Sequence, residues 1–136
     1  MSDCIFCQII AGEIPSFKIY EDETVLAFLD IQPVSRGHLL VLPKTHSENL
    51  AGLAEAEIAP LFSLARRLGQ VAQNITGAEG FNLIVNKGSA AGQMVFHTHV
   101  HVIPRSAGDG LRHWPKIEVS TEEMKTIAQD IASGLF

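Results

Sequence analysis

Residues 97–105 read HTHVHVIPR, with His97, His99 and His101 at alternate positions. The chain has six histidines in 136 residues, and random placement would produce an HxHxH cluster in about one such chain in a hundred. A short apolar run follows, and FHTHVHVIPR reads as a strand. Side chains alternate faces along a strand, so the three imidazoles share one face, about 6.6 Å apart at Cα, and Thr98, Val100 and Val102 share the other. The valine face suits a core. The histidine face does not, because each buried imidazole needs a hydrogen-bond partner. Three uses of that face stay open at this point. It is a solvated surface, a nucleophile or general acid–base, or a three-histidine metal site with an open water position.

The rest of the chain supplies a setting for this strand. In SDCIFCQIIAGEIPS, Ser2 or Asp3 is a candidate N-cap, and Ile5, Phe6, Ile9 and Ile10 follow helical spacing until Gly12 and Pro15. FKIYEDETVLAFLDI predicts a hairpin, Lys18–Glu21 with Thr24–Asp30, turned at Asp22 and Glu23. GHLLVLPK is nearly all apolar and predicts a central strand covered on both faces. AEAEIAPLFSLARRLGQVAQNIT is the longest helix, with Ile58, Leu61, Phe62, Ala65, Leu68 and Ala72 in one stripe. Pro60 lies beyond the first turn, so the regular helix is expected to start near it or to bend there. FNLIVNKG is a fourth strand, and Ser120 with Glu123 forms a capping-box signature opening a C-terminal helix. This mix predicts an α+β fold with a largely antiparallel five-stranded sheet.

Composition narrows the function. At 136 residues the chain predicts one domain spanning residues 1–136, long enough for a hydrophobic core. A net charge of −5 argues against broad nucleic-acid binding. No apolar run approaches the ~20 residues of a membrane span, and MSDCIFCQII lacks the basic start of a signal peptide. The expectation is a cytoplasmic protein in which Cys4 and Cys7 do not form a structural disulfide. Their CxxC spacing admits a redox pair, two inert buried thiols or half of a tetrahedral zinc site. A closed zinc site needs two further ligands, for which His46 and His97 are candidates.

The stretches CIFCQIIAGEIPS, VLAFLDIQPVSRGHLLVLPKTH, FNLIVNKGSAAGQ and HTHVHVIPR together resemble the histidine triad (HIT) superfamily, in its Hint-like branch of nucleotide phosphoramidate hydrolases. The resemblance covers almost the whole chain. It implies a HIT-like fold whose sheet continues across a homodimer, and a covalent mechanism. His99 matches the nucleophile that attacks the α-phosphorus of a nucleoside 5′-phosphoramidate or related ester, and His101 matches the position beside the phosphate oxygens. His38 is expected to line the same pocket, where a histidinium could donate to the phosphate or leaving group. Ile5, Phe6, Ile9, Phe28 and Ile31 match positions around a purine base, Asp30 the carboxylate on the ribose, and Asn86 and Gln93 polar positions around sugar and phosphate. Gly88 and Gly92 suggest a tight loop with available N–H groups.

The zinc-containing subset of the family implies one structural zinc per chain on Cys4, Cys7, His46 and His97, with no cofactor needed for catalysis. One position departs from the family. Met94 follows Gln93 where a serine commonly helps the leaving amine, and a methionine cannot deliver that proton. Ser89, a water or a different leaving group is the expected remedy. His113 and Trp114 are candidates to reach a pocket, the partner's included. The competing functions are hydrolysis of dinucleoside polyphosphates of the Fhit-like kind, a nucleotide-binding module with weak catalysis, and a three-histidine zinc hydrolase.

Overall fold

The computed structural model describes residues 3–112 and 114–136. Its elements run α1 (Ile5–Ile10), β1 (Lys18–Glu21), β2 (Val25–Leu29), β3 (Leu39–Pro43), α2 (Glu55–Thr76), β4 (Gly80–Ile84), β5 (Val100–Arg105) and α3 (Thr121–Gly134). Short 3-10 turns occupy Leu50–Gly52 and Ser89–Ala91. The strands form one sheet in the order β1-β2-β3-β5-β4, with every neighbouring pair antiparallel. Among the described residues no helix is long and apolar enough to cross a membrane.

The all-apolar β3 is central, as its composition predicts, and buried throughout. Alternation then sorts the sheet into two faces. Ala27, Leu39, Val41, Val100 and Val102 pack with Leu61 and Ala65 of α2. Leu26, Phe28, Leu40 and Leu42 lie on the other face, under Phe6 of α1. The hairpin turns where expected, because the Asp22 carboxylate accepts from the N–H groups of Thr24 and Val25 at 2.8 and 3.0 Å.

Three expectations need correction. The cap of α1 is Cys4, whose Sγ accepts from the Cys7 N–H at 3.4 Å; Asp3 does not cap it, and Ser2 lies outside the described residues. Helix α2 starts at Glu55 and runs through Pro60. Both Pro60 and Ala56, whose carbonyl loses its partner, are exposed, so water can serve that carbonyl. The fifth strand starts at Val100 rather than Phe96. Pairing of Val41 with Val100 sets Pro43 towards Thr98, and a proline has no N–H to extend the ladder. The Thr98 N–H instead donates to the Ser47 carbonyl at 2.7 Å.

The C-terminal helix is present. The Ser120 hydroxyl accepts from the Glu123 N–H at 3.2 Å. Gly69 of α2 is required for close helix–sheet packing, because a Cβ there would lie 2.3 Å from the Phe81 ring. Gly69→Ala gains about 1 kcal/mol of helix propensity against about 1–3 kcal/mol of overpacking. The expected outcome is a net loss of stability in chemical denaturation, opposite in sign to an exposed helical Gly→Ala change.

Candidate functional site

The HTHVHVIPR stretch runs along the α1 side of the sheet. The Phe6 ring meets the rings of His97 and His99 edge-on, with centroids 6.0 and 5.0 Å away, and His99 and His101 are 5.0 Å apart. Facing therefore still alternates before the ladder begins. His97 is fully buried, His99 nearly so, and His101 half-buried.

His97 is held at both nitrogens. Its Nε2–H donates to the Pro43 carbonyl at 2.8 Å. A carbonyl only accepts, so Nδ1 carries the lone pair. That lone pair lies 3.4 Å from Cys4 Sγ, 3.6 Å from Cys7 Sγ and 3.2 Å from His46 Nδ1. Cys7 Sγ is in turn 3.4 Å from His46 Nδ1. The four donor atoms lie within 4.8 Å of one another. A tetrahedral zinc with Zn–S of about 2.3 Å and Zn–N of about 2.0–2.1 Å has S···N edges of about 3.5 Å and an N···N edge of about 3.3 Å. These four residues fit a closed four-ligand site by donor type and by spacing. The three histidines of the motif do not converge on one point, so the three-histidine metal site is set aside.

The other nitrogens have defined partners too. His99 Nδ1–H donates to the His97 carbonyl at 2.7 Å, leaving the lone pair on Nε2. The Val34 N–H donates to His38 Nδ1 at 3.1 Å, so the His38 proton sits on Nε2. That Nε2–H donates to His101 Nδ1 at 2.9 Å, which places the His101 proton on its own Nε2. Register explains the pairing. Leu40 lies opposite His101, and His38, two residues before Leu40, is the diagonal neighbour on the same face. The Asp30 carboxylate stands 3.5 Å from His38 Nε2. Asp30, His38 and His101 are also close enough to hold a cation, but both His38 nitrogens already have partners, and the group is a hydrogen-bond relay.

Burial keeps the set neutral. It pushes His38, His97 and His99 below the usual histidine value, and pushes His101 down to about 4, helped by the neighbouring His99 and His38. The histidinium expected at His38 is therefore disfavoured. His38 is buried behind His101 and is not part of the cavity wall.

That cavity has a volume of about 540 Å³ and opens between α1, the end of β2 and the triad stretch. Ile5, Phe6, Ile9, Phe28, Ile31, Asp30, Asn86, His99 and His101 all line it. Ile14, Pro15 and Leu40 join them without having been singled out. Leu40 was findable, since it follows His38 by one strand period. Met94 lines the wall and is 87 % exposed, while Ser89 is not on it. Gln93 is also off the wall. Its amide accepts from the Gly88 N–H at 2.8 Å and donates to the carbonyls of Glu48 and Val95 at 2.7 and 3.1 Å, bracing the loop. Within the loop the Ala91 N–H bonds the Gly88 carbonyl and the Gly92 N–H the Ser89 carbonyl. Trp114 is exposed and away from the cavity, and His113 lies outside the described residues.

The chain is similar to known proteins along most of its length. It is 38% identical over 135 residues to adenosine 5′-monophosphoramidase hnt1 of Schizosaccharomyces pombe, covering 97% of this chain and 98% of that one. It is 44% identical over 110 residues to adenylylsulfatase HINT3 of Arabidopsis thaliana, covering 81% of this chain and 56% of that one. A HIT family crystal structure from Bacillus subtilis superposes with a TM-score of 0.91 at 42% identity over 99% of both chains. A zinc-bound histidine triad family protein from Mycobacterium smegmatis superposes with a TM-score of 0.77 at 40% identity over 96% of both. The HIT domain model matches residues 11–108, and the chain belongs to the HIT domain family.

Proposed function

We propose that this protein hydrolyses nucleoside 5′-phosphoramidates and related esters at the α-phosphorus, with an adenosine-type nucleotide, through a covalent nucleotidyl-histidine on His99. The observation that carries this reading is the His99 tautomer. With Nδ1–H held by the His97 carbonyl, the imidazole offers an Nε2 lone pair to the cavity. Nε2 attacks phosphorus, the bond to the leaving group breaks, and water then cleaves the phosphorus–histidine bond to release the mononucleotide. His101 Nε2–H donates to a phosphate oxygen as charge develops. Asp30 takes the ribose hydroxyls, and Ile5, Phe6, Phe28 and Ile31 enclose the purine. Asn86 contacts the sugar–phosphate side, and Gln93 shapes the loop beside it. The two relatives named for adenylyl substrates support this class of reaction.

Cys4, Cys7, His46 and His97 would hold one structural zinc, whose contribution is to tie α1 to the triad stretch. The zinc-bound relative supports this assignment. The reading further includes a homodimer with the sheet continued across it, a single domain spanning residues 1–136 and a cytoplasmic location. Met94 at the cavity wall favours one second reading, a nucleotide-binding module with slow catalysis, since it supplies no proton to a departing amine.

Three outcomes are expected. His99→Ala lowers turnover of adenosine 5′-phosphoramidate by about a thousandfold or more and abolishes the nucleotidyl adduct seen by mass spectrometry in the unaltered protein; near-normal turnover would contradict the covalent route. Comparing kcat/KM for phosphoramidates with that for dinucleoside polyphosphates separates the Hint-like from the Fhit-like activity.

The second outcome concerns pH. The folded His101 takes a proton only near 4, whereas an unfolded histidine does so near 6.5. Between these values the unfolded chain binds more protons, so this contribution to stability is complete above about 6.5 and declines as pH falls towards about 4. The acid limb of kcat/KM should likewise lie below the ordinary histidine range.

Third, Cys4→Ser is expected to lose bound zinc in elemental analysis and to lower the melting temperature. Full retention of zinc by that variant would contradict the four-ligand assignment.

A further inference from the structure

The tautomer of His101 traces back to one backbone N–H in the loop between β2 and β3. Val34 N–H to His38 Nδ1, then His38 Nε2–H to His101 Nδ1, is a chain with a single direction. Reversing it would strip the proton from His101 Nε2, ending its donor role, and would set His38 Nδ1–H against the Val34 N–H, two donors facing each other.

The loop that supplies this N–H has little packing of its own. Ile31, Gln32, Pro33, Val34 and Arg36 are all exposed. Few hydrogen bonds fix its course. Asp30 Oδ1 accepts from the Gln32 N–H at 2.8 Å, and the His38 N–H donates to the Ser35 carbonyl at 3.2 Å. The Ser35 hydroxyl donates to the Pro104 carbonyl at 2.8 Å. The first two lie within the loop or at its ends. The Ser35 bond alone among these ties the loop's middle to another element, β5, the strand that carries His101. Gly37 lets the chain turn at this place, with φ of 86° and room for no Cβ, since one would lie 2.8 Å from Thr76 Cγ2.

We propose that Ser35 is a positioning residue for the reaction. By anchoring the loop to Pro104 it holds the Val34 N–H on His38 Nδ1, and so keeps the His101 Nε2–H directed to the phosphate. Ser35 does not touch the cavity wall. It acts through two imidazoles, and its hydroxyl is the group that matters. The kinetic part of this assignment rests on the proposed reaction; the tautomer part does not.

The test combines kinetics with nitrogen NMR on the full chain. Using adenosine 5′-phosphoramidate, Ser35→Ala should lower kcat about five- to tenfold, the scale of one lost hydrogen bond, with KM within about twofold. Ser35→Thr, which keeps the hydroxyl, should recover about half or more of the original kcat. In Ser35→Ala the side-chain 15N signals of His38 and His101 should shift towards mixed tautomers. Unchanged kcat and unchanged tautomers in folded Ser35→Ala would overturn the proposal, as would a loss confined to KM. The unaltered protein gives a separate reading that needs no variant. A scalar coupling across the hydrogen bond between the Val34 amide nitrogen and His38 Nδ1 is expected, and its absence would overturn the proposal. If the unaltered protein turns over none of the substrates, the proposed reaction fails while the NMR result still decides the role of Ser35.

Discussion

A neutral imidazole has two nitrogens and one proton, so whatever binds one nitrogen decides what the other can offer. Burial keeps the histidines of this site neutral, and fixed backbone groups hold three of them. The Pro43 carbonyl takes the His97 proton on Nε2, the His97 carbonyl takes the His99 proton on Nδ1, and the Val34 N–H fills His38 Nδ1. The consequences are opposite at neighbouring residues. His97 presents Nδ1 to two sulfurs and a second imidazole, His99 presents Nε2 to a cavity, and His101 presents an N–H. One repeated residue type thereby gives a nitrogen turned to the thiol cluster, a lone pair turned to the cavity and a donor within five positions.

This arrangement also joins the two centres. His97 uses its side chain for the cysteine-containing cluster and its carbonyl for the His99 proton. Phe6, packed between Cys4 and Cys7 in sequence, covers both His97 and His99. Anything that fixes the four-ligand cluster therefore fixes the position of the carbonyl that orients His99. The end of β3 contributes through an absence. Because Pro43 has no N–H, the ladder stops, and the chain carrying His97 and His99 is free to bend into the cluster while Val100 onward stays in the sheet.

Much of this was legible in the residues, and the rest was hidden for physical reasons. Apolar periodicity located β3, α2 and the hairpin because burial on one or both faces leaves a pattern in side-chain type. The alternation of histidines with valines correctly separated the α2 face from the α1 face. Strand order and register leave no such pattern, so the meeting of His38 with His101 was out of reach, and His38 was expected on the cavity wall as a cation. Pro43, Val34 and Ser47 act through main-chain atoms, which every residue possesses and no motif marks. The resemblance set Gln93 beside sugar and phosphate, and no motif marks the three hydrogen bonds by which its amide braces the loop. The Cys4 cap was missed because thiols are not among the usual capping groups.

Every role at this site depends on which nitrogen of each imidazole carries the proton. The direct measurement is the set of side-chain 15N chemical shifts and two-bond correlations of the histidines in the resting protein near neutral pH. The expected result is Nδ1–H with bare Nε2 at His99, and Nε2–H at His38, His97 and His101. Finding the proton on Nε2 of His99, with its Nδ1 bare, would contradict it.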